Sequence, residues 1–257
     1  MQDYNTIRTA GTATRSAAVD EGLRAYMNKV YGLMAVGMLV TAGAAWGMSG
    51  LTLSAEPTQY ALGNGKFLTE IGASLYLSPL KWLVMFAPLV MVFAFGAALN
   101  RLSVQGATTL FYAFAAVMGV SISWIFVSYT SFSIIQTFLV TAIAFAGLSL
   151  YGYTTKRDLS GMGTFLMMGL IGLIVASIVN IFLASSALAF AISVIGVLIF
   201  AGLTAYDTQN IKNTYIAHAQ AMDQEWLGKA AIMGALNLYL DFINLFMFLL
   251  QFFGNRD

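Results

Sequence analysis

The sequence predicts an all-α, polytopic membrane protein that crosses the bilayer seven times, and three observations carry that expectation. Hydrophobic residues make up 59% of the chain and charged residues only 9%, against about 25% charged in an average soluble domain. Apolar stretches recur at the ~20 residues that a helix needs to cross a hydrocarbon core of about 30 Å. The remaining charges, 12 basic and 11 acidic, gather mostly at the ends of those stretches. A formal net charge of +1 leaves no basic face for nucleic acid. Without cysteine, and with His218 as its one histidine, the sequence offers neither disulfides nor a thiolate or histidine-rich metal site.

Residues 1–24 read as a cytosolic polar tail, irregular up to Glu21 because it lacks an apolar periodicity. Residues 25–257 read as the transmembrane domain. Asp3 and Asp20 in the polar start do not fit a secretory signal, so the first apolar helix directs insertion. Span one is expected at 30–49, entered past Arg24 and Lys29. The connection 50–81 carries Glu56, Pro57, Asn64, Gly65, Lys66 and Glu70 and is the longest between spans. Span two, 82–99, contains Pro88, which frees a backbone carbonyl and favours a kink, and it ends at Asn100 and Arg101.

The stretch 102–155 holds no charge, yet its 54 residues exceed two spans; Ser128, Tyr129, Thr130 and Ser131 mark the turn, giving spans at 105–127 and 132–153. Residues 159–206, charge-free and broken near 180–186, give spans at 162–183 and 187–206, with Asp207 at the end of the latter. Span seven follows Lys229 and ends at Phe253. With the amino terminus inside, Arg8, Arg15, Arg24, Lys29, Arg101, Lys156, Arg157, Lys212 and Lys229 are cytosolic, nine of the 12 basic residues, as the positive-inside rule favours. A six-span variant with a re-entrant last helix keeps that preference for the tail.

Two acids interrupt this apolar wall. Asp241 lies 12 residues after Lys229 and 15 before Arg256, so no register of a spanning helix brings it into water. Such a group is a functional-site candidate. Asn237, Asp241, Asn244 and Gln251 follow at intervals of 4, 3 and 7, along one side of span seven. Thr204, Asp207 and Thr208 make a second polar stripe on span six. Since both spans approach one cytosolic connection, their acids can meet, and two carboxylates a few Å apart cannot both ionise cheaply. The pair would then share a proton and report pH. Depth opposes this, because Asp207 reads as interfacial while Asp241 lies about 18 Å along a helix from Lys229; span seven must begin in a cytosolic extension. The alternative is that Asp207 merely flanks its span and Asp241 is hydrogen-bonded by Asn237 or Asn244. Arg101 reads from spacing as a cytosolic anchor that could also pair with Asp207.

Ala-Tyr-Asp-Thr-Gln-Asn-Ile-Lys at 205–212 and Leu-Asn-Leu-Tyr-Leu-Asp-Phe-Ile-Asn-Leu-Phe at 236–246 resemble the carboxyl-terminal signature of the Bax-inhibitor, or transmembrane Bax inhibitor motif, family. The resemblance implies seven helices with the last one central, and a pH-sensitive calcium leak. It places the family's two aspartates, its pH sensor and gate, on Asp207 and Asp241, where calcium would bind in passing. Its latch arginine falls on Arg101, in Asn-Arg-Leu-Ser, where some relatives have several basic residues. Thr204, Thr208, Asn237 and Asn244 would surround the pair. The short polar tail fits a bacterial inner-membrane member, and some bacterial relatives modulate a membrane-bound ATP-dependent protease.

The leading expectation is therefore a proton-gated calcium leak in the lipid bilayer, with no turnover chemistry and no tightly bound cofactor. Regulation of a membrane-bound protease through partner binding, without conduction, is the alternative. An intramembrane aspartyl protease shares Tyr206-Asp207 but needs a Gly-x-Gly-Asp partner motif, which is missing before Asp241. A proton-coupled transporter also fits buried acids, though the halves show no repeat.

Overall fold

In the computed structural model, residues 3–62, 65–218 and 223–255 are described, with side chains from Val19 onward. The helices are α1 (Asp3–Thr52), α2 (Glu70–Tyr76), α3 (Leu80–Ala98), α4 (Val104–Ile122), α5 (Ile125–Ser128), α6 (Ser131–Thr154), α7 (Ser160–Leu183), α8 (Ser186–His218) and α9 (Gln224–Phe253). A small antiparallel pair, β1 (Leu53–Ser54) and β2 (Phe67–Leu68), stands before α2. Among the described residues, seven helices are long and apolar enough to cross a membrane. The last runs its full 30 residues to Phe253, enough for a complete span rather than a re-entrant piece.

The polar punctuation of the sequence closes these helices. Ser103, Thr130 and Asp223 each cap the following helix, accepting from the amides of Gly106, Ser133 and Trp226 at 3.2, 3.1 and 3.0 Å. The third span lies where expected, at Val104–Ser128, with a break at Ser123 and Trp124 between α4 and α5. Two expectations need correction. The polar start is helical from Asp3 rather than irregular; it has no proline to stop α1 from extending backwards. More important for the site, span six does not end at Asp207. No glycine or proline intervenes from Leu203 to His218, and α8 continues 11 residues beyond the acid.

At the centre stands α9, packed against α8, α1, α6 and α4. Two glycines bring neighbouring backbones together: a Cβ at Gly119 of α4 would collide with the Thr41 carbonyl of α1, and one at Gly152 of α6 with the Ala205 carbonyl of α8. The fully buried Tyr239 shares a hydrogen bond with Thr41, whose hydroxyl donates to the Ala115 carbonyl at 2.8 Å, so one polar cluster joins α9, α1 and α4. At the periphery α3 packs on α4 and α2, and α7 packs on α8.

Contacts at the helix ends identify two faces. Tyr26 of α1 meets Tyr215 of α8 with ring centroids 4.9 Å apart, and Lys212 of α8 donates to the Tyr153 carbonyl at the end of α6 at 2.7 Å. Together with the α3–α4 turn, these ends form a face carrying Arg24, Arg101, Lys156, Arg157 and Lys212. On the opposite face the Asn255 amide donates to the Ser133 hydroxyl at 3.0 Å, and Lys66 donates to the Phe126 and Tyr129 carbonyls at 3.0 and 3.2 Å.

Candidate functional site

The α8–α9 hairpin brings Asp207 and Asp241 together, their carboxyl groups within hydrogen-bonding reach of each other. The extension of both helices beyond the acids on the basic face removes the mismatch of depth. Asp241 is 4% exposed, and its Oδ2 has no hydrogen-bond donor among the described residues. Asp207 is half-buried. Two bare carboxylates this close would repel by about 4 kcal/mol at an effective dielectric of about 20. A proton held between them removes that cost and leaves one negative charge on the pair.

A cavity of about 690 Å³ lies against the acids, bounded by α3, α7, α8 and α9. Its polar end is formed by Asp207, Asp241, Asn237, Asn244 and Tyr206, its walls by residues such as Leu89, Leu170, Ile174 and Phe200. The Asn244 amide donates to the Leu240 carbonyl at 2.8 Å. No hydrogen bond from Asn237 or Asn244 reaches Asp241 among the described residues, so the acid is not a structural polar group held by its own helix.

Two smaller cavities continue the line of α9. On the basic side, one of about 280 Å³ is lined by Asn100, Asn210, Thr214, Lys229 and also Asn237, which therefore borders both spaces. On the opposite side, one of about 430 Å³ is lined by Ser128, Trp124, Gln251 and Phe248. Phe248 also borders the central cavity. Its ring stacks on Phe200 with centroids 5.8 Å apart and lies over Gly196, where a Cβ would come within 2.7 Å of it. Gln251 thus leaves the polar group of Asn237, Asp241 and Asn244; ten residues beyond Asp241 it stands about 15 Å farther along the helix.

Thr204 and Thr208 face elsewhere. At about 100° per residue they share a side of α8, with Asp207 about 60° from one and 100° from the other. Thr208 donates to the Thr204 carbonyl at 2.8 Å, so its oxygen accepts from Ser149 at 2.9 Å, and Ser149 in turn accepts from Tyr31 at 2.6 Å. This hydroxyl chain joins α8, α6 and α1 behind the acids. Tyr31 and Ser149 carry no sequence signal, since isolated hydroxyls on spans commonly bond their own backbone. Gln209 and Lys212 secure the α6–α7 turn instead: Gln209 accepts from the Leu159 amide and donates to the Arg157 carbonyl, both at 2.8 Å.

Arg101 is exposed in the turn between α3 and α4, and among the described residues no ion pair joins it to Asp207. Among the described residues, Lys229 pairs with Glu225 of its own helix at 2.9 Å. Asn100, next to Arg101, does border the basic-side cavity. For a cation, the central site offers two carboxylates and two amide oxygens, and no third acid, histidine or cysteine joins them among the described residues. That is a hard-oxygen set, short of the ~6–8 ligands of a calcium cage.

The model for the family described as inhibitor of apoptosis-promoting Bax1 matches residues 23–257. The inner membrane protein YbhL of Escherichia coli K12 is 47% identical over 235 residues, covering 91% of this chain and 93% of that protein. A protein of Caulobacter vibrioides is 45% identical over 100% of both chains. One of Rickettsia prowazekii is 44% identical, over 100% of this chain and 99% of its own.

Proposed function

This chain belongs to the Bax inhibitor family, and we propose that it is a pH-sensitive, calcium-permeable leak of a bacterial inner membrane. The observation that supports this reading most is the contact of Asp207 with Asp241, an acid pair buried where a span should be apolar and bordered by cavities on either side. A cation entering from the basic side passes Asn237, meets carboxylate and amide oxygens, and leaves past Phe248. The few ligands suit brief occupancy, because a site that conducts must also release its ion. The basic face is cytosolic in this reading, with the amino terminus on the same side, as the distribution of Lys and Arg favours.

Gating follows from the charge of the pair. With one shared proton it is a monoanion, and Arg101 is its latch, closing the basic-side entrance when the α3–α4 turn moves toward α8. At low pH both acids are neutral and Arg101 loses its counter-ion; at high pH both are charged and repel. Closure is therefore best in an intermediate pH window. Calcium flux into liposomes holding the purified chain, followed across a pH series, tests this. The lowest flux is expected inside the window, with Arg101→Ala raising it there and Asp241→Asn flattening the alkaline rise. Absence of calcium flux at every pH overturns the leak and favours a regulator that acts by binding a membrane-bound protease.

A further inference from the structure

We propose that the cavity between α3 and α7 is a binding site for a lipophilic primary amine, which enters from the bilayer and sets its ammonium group on the Asp207–Asp241 pair. The entrance follows from the packing. Helix α3 is held by α4 and α2, and α7 by α8, and the space between them is the cavity. Leu89 of α3 and Ile174 and Ile178 of α7 line it, yet they are 51%, 52% and 51% exposed. Its side is open at the depth of the hydrocarbon, where an apolar ligand concentrates.

The shape and chemistry select the ligand. A volume of about 690 Å³ falls within the ~300–1,000 Å³ of small-molecule sites, which are mostly apolar with a few convergent polar groups. Here Tyr206 and Asn237 can donate, but among the described residues no donor reaches the buried Asp241 Oδ2. Asp207 adds its own oxygens, and the amide of Asn244 already donates to Leu240. A primary ammonium supplies three N–H donors and one positive charge, matching the single negative charge of a proton-sharing pair. Calcium is held by about 6–8 oxygens, more than the cavity offers, so it is a passing ion here and not a resident ligand. An alcohol lacks the charge, and a quaternary ammonium lacks the N–H. The inference shares the acid pair with the leak reading but not the conduction.

The test titrates 2-(2-naphthyl)ethylamine into the full chain in phosphatidylcholine nanodiscs, with empty nanodiscs as blank. The corresponding naphthylethyl alcohol and trimethylammonium ion are run in parallel. Saturable binding of one amine per chain is expected, at least tenfold tighter than either analogue. Asp241→Asn should weaken it tenfold or more. Leu89→Trp, which obstructs the entrance and leaves both acids in place, should do the same, so the outcome does not depend on the folding of the acid variant. Amine and alcohol binding equally, binding unchanged in both variants, or no saturable uptake above the blank overturns the site. Calcium flux into liposomes holding the same purified proteins separates the two readings: flux without amine binding overturns this one alone, and amine binding without flux overturns only the leak.

Discussion

Helices α3 and α9 are both apolar enough to span a membrane, yet 67% of the spanning stretch of α9 is buried in protein and only 11% of that of α3. Lipid tails are as apolar as leucine, so an apolar side chain gains little by leaving lipid for protein. Close approach and polar partners decide which helix takes the centre. Helix α9 has Gly228, Ala231, Gly234 and Ala235, all buried, which admit neighbours, and Tyr239 and Asp241, which need them. Helix α3 presents Leu83, Val90 and Phe93 to the bilayer, at 68%, 65% and 72% exposure.

The sharpest way to break this contrast is to truncate one aromatic on each helix. Tyr239 is fully buried among Phe111 and Phe114, and Tyr239→Ala is expected to cost about 3–5 kcal/mol, as large aromatic truncations in packed interiors do. Phe93→Ala should stay within about 0.5 kcal/mol. Equilibrium unfolding in mixed micelles measures both, and equal losses would contradict the central placement of α9.

A smaller contrast concerns glycine. Gly152→Ala forces apart the backbones of α6 and α8, the helix that pairs with α9, and overpacking of this kind costs about 1–3 kcal/mol. Gly96 on α3 has nothing within 4 Å of its added Cβ, so Gly96→Ala should be neutral or stabilising by up to about 1 kcal/mol through helix propensity. Thermal inactivation of the two variants side by side would show opposite signs; a loss for both would mean that α3 is packed after all.

The smallest effect is polar. Thr41→Val removes the hydroxyl that ties Tyr239 to α1 and α4, and interhelical hydrogen bonds in membranes average about 0.6 kcal/mol with a maximum near 1.7. Unfolding of this variant should fall in that interval. A loss as large as that of Tyr239→Ala would assign the stability of the centre to hydrogen bonding rather than packing.

Much of the architecture was legible from residue order. The charge-free stretches and the Ser-Tyr-Thr-Ser turn locate helix ends to within a few residues, because a hydrocarbon core requires continuous apolar helix and a turn must find polar partners. The polar start and the length of α8 were not legible, since hydropathy marks where lipid ends and not where a helix ends. Asp207 therefore reads as the end of a span although its helix continues to His218.

At the site, residue order alone puts two acids where ions are costly, sets Asn237 and Asn244 on the side of α9 that carries Asp241, and concentrates charge on one face. These follow from composition and from the 3.6-residue repeat, which any single helix obeys. Helix packing is what brings Asp207 to Asp241, turns Thr208 toward Ser149 and Tyr31, leaves Arg101 apart in its turn, and opens a cavity between α3 and α7. Each of these depends on the rotation and relative height of packed helices. In a membrane, glycine approaches and a few polar contacts set both, between residues as distant in the chain as Tyr31 and Ser149.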